Sequence, residues 1–168
     1  MIFVMVITNN AQAQQTYFSE KYGNTLNIGT GIGYYGYTTH SIAIVHVDYE
    51  FDIVKNFTLA PFIVFYSYQD NYYRQTVVPI GLKGTYYFDQ FIKAGSKWDF
   101  YLAASLGFAV KNTTWNNNYL GIESSTIGAA PLYLNFSIGS EYHINKTLGA
   151  FLDLSSTVST IGISIHKL

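Results

Sequence analysis

The sequence predicts an all-β fold: an eight-stranded antiparallel up-and-down β-barrel that spans a membrane. Two stretches carry most of that prediction. In Ser41 to Ile53, Ala43, Val45, Val47, Tyr49, Phe51 and Ile53 point one way, and His46, Asp48, Glu50 and Asp52 the other. In Pro131 to Ile144, Leu132, Leu134, Phe136, Ile138 and Tyr142 oppose Tyr133, Asn135, Ser137, Gly139, Glu141 and His143. Successive side chains of a strand alternate between faces, so period two held this long describes a two-faced strand. Strands of soluble domains run about five or six residues, whereas bilayer-spanning strands need about 9 to 11. Composition is the third observation. Charged residues make up 11% of the 168, against about 25% in a typical soluble domain. Apolar residues reach 49%, yet no uncharged apolar run approaches the roughly 18 residues of a membrane helix.

At the N-terminus, Ile2 to Ile7 are apolar and Ala11-Gln12-Ala13 reads as an A-x-A cleavage site. Residues 1–13 are therefore expected to be a signal peptide. No Lys or Arg precedes Lys21, so the basic leading region is missing and the signal reads as truncated. Residues 14–24 form a polar lead-in, and 25–168 the barrel.

The first strand, Thr25 to Tyr35, sets Leu26, Ile28, Thr30, Ile32 and Tyr34 against Asn27, Gly29, Gly31 and Gly33. Glycine at alternate positions suits a crowded interior or tight curvature. Ser41 to Ile53 is the second strand, and Val54-Lys55-Asn56 turns into the third, Phe57 to Tyr68, apolar on both faces and of open facing. The fourth, Thr76 to Phe88, opposes Val78, Ile80, Leu82, Tyr86 and Phe88 to Lys83, Thr85 and Tyr87. A link from Asp89 to Trp98, longer than the pattern prefers, leads to the fifth, Asp99 to Lys111. Pro131 to Ile144 is the sixth, Leu148 to Ser155 the seventh and Thr160 to His166 the eighth. The longest and most polar connection, TTWNNNYLGIESST, lies between the fifth and sixth.

Eight antiparallel strands also make soluble lipocalin-like barrels, with the faces reversed. The polar faces of the first and fifth strands are largely Gly, Ala and Ser, which suit a narrow lumen and would waste solubility on an exterior. The apolar face ends in Tyr34, Tyr49, Phe51, Tyr86, Phe88 and Tyr142, as membrane-interface girdles do. The membrane reading follows, with lipid outside and the polar face within.

On these grounds the chain from Thr25 to Leu168 resembles the small eight-stranded outer-membrane β-barrel, or porin-family, proteins. The resemblance rests on strand pattern, the A-x-A segment and the final strand GISIHKL. It departs from the family at Leu168, where an aromatic residue commonly ends the chain. The resemblance implies residence in a Gram-negative outer membrane with periplasmic termini, and contact with lipopolysaccharide and the outer-membrane insertion machinery. Family members serve as anchors, adhesins, small-solute pores or secretion accessories.

The expected lumen carries His46, Asp48, Glu50, Lys83, Glu141, His143, Asp153 and His166, a polar plug centred on Lys83. The same residues would make a narrow cation-preferring pore if water ran through, because acids outnumber the lysine. His46, His143 and His166 with Asp48 or Glu141 could hold a metal, but they come from three strands and their spacing demands none; no cofactor is implied. His40, Ser41 and Asp70 could converge as a hydrolase triad, yet no motif surrounds them, and the chain reads as non-enzymatic. Tyr37, Tyr72, Tyr73, Trp115 and Tyr119, among Asn, Thr and Ser, suit loop recognition of a protein or glycan surface. Net charge −1 excludes a nucleic-acid partner. Zero cysteines exclude disulfides and thiolate sites.

Overall fold

A computed structural model of the chain describes residues 22–33, 42–69, 72–92, 95, 97–115 and 126–167. Eight strands close in chain order into one antiparallel barrel. They are β1 (Thr25–Gly33), β2 (Ile42–Val54), β3 (Phe57–Gln69), β4 (Tyr73–Tyr87), β5 (Trp98–Trp115), β6 (Thr126–His143), β7 (Leu148–Ser155) and β8 (Val158–His166). Closure is made by β1 on β8, with Thr25 opposite His166 and Gly33 opposite Val158. The predicted fold is the observed one, and a closed sheet has no edge left to pair or to hydrate.

The strand ends differ from expectation where β5 and β6 run 18 residues each. Their extra residues continue the ladder, with Thr113 opposite Thr126 on β6 and Trp115 opposite Tyr73 on β4. The polar connection therefore shrinks to residues 116–125, and β5 and β6 overtop β7, whose pairing with β6 stops at Ser155 opposite Ser137. The Asp89 to Trp98 link holds a one-turn helix, α1 (Asp89–Ile92), with Phe91 and Ile92 exposed. We call the end holding connections 34–41, 70–72, 116–125 and 156–157 the distal end. The other, where β1 begins and β8 finishes, is the terminal end.

The alternation has the polarity expected of a membrane barrel. Val45, Ile63, Phe65, Leu82, Leu106, Leu134, Leu154 and Ile161 face outward and exposed, while Asp48, Thr58, Lys83, Thr85, Glu141 and Ser164 are buried within. In water so much exposed apolar area would be strongly unfavourable, at about 25 cal/mol per Å²; against lipid it is the required surface. Aromatic rings gather outside the terminal end. Trp98 lies 6.0 Å from Phe100 and 4.9 Å from Tyr142, and Tyr49 lies 4.8 Å from Phe51. This is a transmembrane β-barrel.

Glycine makes room in the narrow bore. Gly29 pairs with Gly162 across the β1–β8 seam, and the buried Phe151 ring covers both. A Cβ would come within 2.9 Å of that ring at Gly29 and 2.6 Å at Gly162. Of the first strand's glycine row, Gly29 thus answers to the Phe151 ring, whereas a Cβ at Gly31 would meet the Ser159 carbonyl of β8. β3, whose facing the sequence left open, turns Thr58, Ala60, Phe62, Val64 and Tyr66 inward.

Candidate functional site

That inward face of β3 corrects the expectation of a wholly polar lumen. Phe62, Val64 and Tyr66 join Ile44, Val77, Ala109, Tyr133 and Val158 in an apolar layer filling the distal part of the bore. Tyr68 packs against it, and the Phe62 and Tyr133 rings lie 5.3 Å apart. A strand apolar on both faces hides its facing from period-two reading, which explains why the layer was missed. Tyr73 and Trp115, expected in loops, are strand residues, directly paired with rings 5.4 Å apart. Tyr72 stands exposed at the bend before β4. Tyr37, Tyr119, His40, Ser41 and Asp70 lie outside the described residues.

Beneath the apolar layer the expected polar residues fall into two groups rather than one. The first is centred on Lys83, as anticipated. Its Nζ lies 2.9 Å from Asp48 Oδ2 and 3.1 Å from Glu50 Oε1. His46 Nε2 adds a contact of 2.9 Å to Asp48 Oδ2. Asn27 Nδ2 donates to both carboxylates, at 3.0 and 3.1 Å. The other Glu50 oxygen accepts from Thr58 at 2.6 Å and from the Tyr87 hydroxyl at 2.8 Å. Asn27, Thr58 and Tyr87 were not singled out from sequence, although each sits on the predicted inward face or the face β3 left open. Asp153 completes the group from the far wall, accepting from the Tyr101 hydroxyl. A buried charge costs several kcal/mol unless paired and hydrogen-bonded, and Asp48 and Glu50 have both kinds of partner. The cavity between the two layers, lined by His46, Phe62, Lys83, Tyr133, Asp153 and others, measures about 10 Å³, space for roughly one water.

The second group lies at the terminal end. Glu141 Oε1 is 2.6 Å from His166 Nε2 and 3.9 Å from His143 Nδ1. Asp99 Oδ2 is 2.7 Å from His143 Nε2. His46 belongs to the first group, so the metal set considered from sequence does not form as written; Glu141, His143 and His166 do come together. Asp99 escaped notice because it opens its strand next to a loop.

A third feature had no sequence signal. Tyr22, assigned to a polar lead-in, is buried at the terminal mouth, stacked on Tyr87 with centroids 4.0 Å apart and planes 8° from parallel. Its hydroxyl donates to the Asp89 carboxylate at 3.1 and 3.2 Å. Asp52, predicted inward but exposed, accepts from the Tyr22 and Gly23 amides at 3.2 and 2.7 Å and pins the segment. Burial foremost, then the Asp99 charge, raises the Asp89 carboxyl above its ordinary value of 3.8, against the pull of the Tyr22 hydrogen bond.

No protein-family model matches the chain, and no curated protein does. Solved structures do. Neisserial surface protein A is 13% identical, with 85% of this chain and 95% of that one aligned at a TM-score of 0.64. Ail, the attachment invasion locus protein of Yersinia pestis, in complex with the heparin analogue sucrose octasulfate, is 7% identical over 84% and 94% of the two chains, TM-score 0.53. The N-terminal β-barrel domain of Pseudomonas aeruginosa OprF is 13% identical over 85% and 97%, TM-score 0.50. Such distant identities establish architecture. The chain has the fold of the small eight-stranded outer-membrane barrels.

Proposed function

We propose that the protein is a non-enzymatic outer-membrane barrel of the Gram-negative type, carrying a surface-interaction role at its distal end on a closed lumen. The observation that carries this reading is the stacking of two sealing layers in one bore. The Phe62–Tyr133 layer and the Lys83–Asp48–Glu50 layer leave between them a cavity of about 10 Å³, which favours an anchor over a pore. The overtopping β5–β6 wall and the connection 116–125, rich in Asn and Ser, make the distal end the natural working surface. Tyr72 stands there, with Tyr37 and Tyr119 in neighbouring connections. A barrel of the same fold holding a sulfated sugar analogue supports a glycan or a protein surface as the partner class. Residues 1–13 would then be the export signal, the terminal end would face the periplasm, and lipopolysaccharide would surround the distal rim.

Two measurements on the full chain test this. Expressed in a Gram-negative host, it should fractionate with the outer membrane, and purified barrel in planar bilayers should give no steady conductance. Cells displaying it should adhere to immobilised glycans or matrix proteins, and replacing residues 116–125 with a short Gly-Ser turn should abolish adhesion while heat-modifiable gel mobility persists. Ohmic, cation-selective conductance in the intact protein would sink the closed-lumen reading. Adhesion unchanged by the replacement would sink the assigned surface.

A further inference from the structure

We infer that the terminal rim along β5 to β8 is a binding surface for anionic phospholipid headgroups, with Lys97, Lys146 and Lys167 holding the phosphates. The ladder brings these lysines to one end of four neighbouring strands. The Lys97 carbonyl accepts from the His143 amide at 2.9 Å, which puts Lys97 beside the end of β6. Lys146 and Lys167 each lie two residues beyond the paired Leu148 and Ile165 of β7 and β8. The intervening step is closed by the His166 amide, which donates to the Thr147 carbonyl at 2.8 Å. With neighbouring strands about 4.8 Å apart, the three side chains are strung along about 14 Å of rim. All three are exposed.

The carboxylates of this end are engaged elsewhere. Asp52 accepts from the Tyr22 and Gly23 amides, and Asp89 from the Tyr22 hydroxyl. Asp99 lies against His143 and Glu141 against His166. Among the described residues no ion pair joins a carboxylate to Lys97, Lys146 or Lys167. The distal end differs. Arg74 there donates to Gln69 Oε1 at 2.8 Å, and Lys111 has a partner.

What lies beside the lysines selects a lipid over a soluble anion. Ile144, Trp98, Ile165 and Leu148 are 59, 45, 39 and 37% exposed, and they continue the lipid-facing wall to the rim. Trp98, packed on Phe100 and Tyr142, marks the depth at which amphipathic rings meet headgroups. Lys97 is the next residue outward from it. Lysine stems can lie over such an apolar shoulder while the ammonium reaches a phosphate. A free anion would meet the charge alone, whereas a phospholipid meets charge and shoulder together. In the orientation proposed above these are headgroups of the periplasmic leaflet, but the surface requires only that the barrel span a bilayer.

The chain has two tryptophans, Trp98 on this rim and Trp115 at the distal end of β5. Quenching by bromine-labelled lipid therefore reads each end separately. The full chain carrying Trp115→Phe is refolded into phosphatidylcholine vesicles containing dibrominated phosphatidylglycerol or, in parallel, dibrominated phosphatidylcholine. Heat-modifiable mobility selects the folded protein. Trp98 should prefer phosphatidylglycerol at least about fivefold at low salt, the factor expected for one lysine at an anionic surface. In 1 M salt, where the screening length falls to about 3 Å, the preference should shrink. Replacing the lysines together, as Lys97→Gln, Lys146→Gln and Lys167→Gln, should bring it within twofold of unity. Trp98→Phe, which leaves Trp115 to report, should show no preference beyond twofold. Equal quenching of Trp98 by the two lipids would overturn the surface. A preference that survives loss of the three lysines, or appears equally at Trp115, would overturn it as well.

Discussion

Lys83 on β4 reaches across the bore to place its ammonium 2.9 Å from the carboxylate of Asp48 on β2, two strands away around the wall. The bond ties non-adjacent strands through the interior, which no ladder hydrogen bond can do. Removing one partner leaves the other charge buried and uncompensated, a loss of about 3–5 kcal/mol for such pairs. Lys83→Met should therefore lower unfolding stability in detergent by that amount. Lys83→Met with Asp48→Asn should recover part of it. Urea titration followed by tryptophan fluorescence measures both, and a double variant no more stable than the single would assign the loss to something other than the pair.

Phe62 should matter to stability more than to sealing. Phe62→Ala removes a buried ring from the distal layer, and such truncations cost about 3–5 kcal/mol. The Lys83 layer remains in place below, so planar-bilayer recordings of the variant should stay silent. Channel openings in Phe62→Ala alone would mean that the polar layer does not seal.

Gly139 offers the overpacking counterpart. A Cβ there would meet Asp153 Oδ1 and Tyr101 Cε2, both at 2.3 Å. Gly139→Ala should destabilise by about 1–3 kcal/mol, read as a lower midpoint in the same urea titration. A midpoint equal to wild type would show that the Tyr101–Asp153 wall yields freely.

Asp89 gives a pH signature at the terminal mouth. Its carboxyl titrates above 3.8 in the folded chain, from burial and the Asp99 charge, so the folded state holds its proton more tightly than the unfolded one. That contribution is fully present below 3.8 and is lost as pH rises through the folded value. The stability difference between wild type and Asp89→Asn should accordingly shrink in favour of the variant over that interval and stay flat above it. Paired urea titrations across the acid range check the sign, and a difference growing in favour of wild type would reverse the assignment.

Tyr22 should prove part of the barrel. Tyr22→Phe keeps the stack on Tyr87 and loses the bonds to Asp89, about 1.5–3 kcal/mol for bonds to a charged group. Tyr22→Ala loses the stack too and should cost more. Equal stability of the two variants would show that the ring contributes nothing beyond its hydroxyl.

What the sequence disclosed, and what it withheld, follows from where information resides along a strand. Period two gave the facing of β2, β4, β5, β6, β7 and β8 because one face of each is charged, hydroxylic or tiny. It failed on β3, where Phe62 and Ile63 are equally apolar and only closure of the barrel decides which looks inward. Lys83, Asp48 and Glu50 were legible as one group, since charges on an inward face of so narrow a bore must meet. The separation of His46 from His143 and His166 was not, because it depends on register and stagger between strands distant in sequence. Tyr22 was invisible for the same reason: a lone aromatic ahead of the first strand has no periodicity to betray its burial.

The division of the bore bears on how the barrel could enter a bilayer. On β2, β4, β5 and β6 the buried ionisable residues His46, Lys83, Asp99 and Glu141 lie nearer the terminal end than the apolar Ile44, Val77, Ala109 and Tyr133 of the same strands. A chain advancing into lipid with its distal end in front thus leads with residues that hydrocarbon tolerates, while the ion pairs trail on the watery side until the wall has closed around them. Reversing that gradient would drag half-assembled charges into the oil, where each costs at least about 2.5 kcal/mol. For a barrel entering in that direction, the axis of the bore would also be an order of arrival.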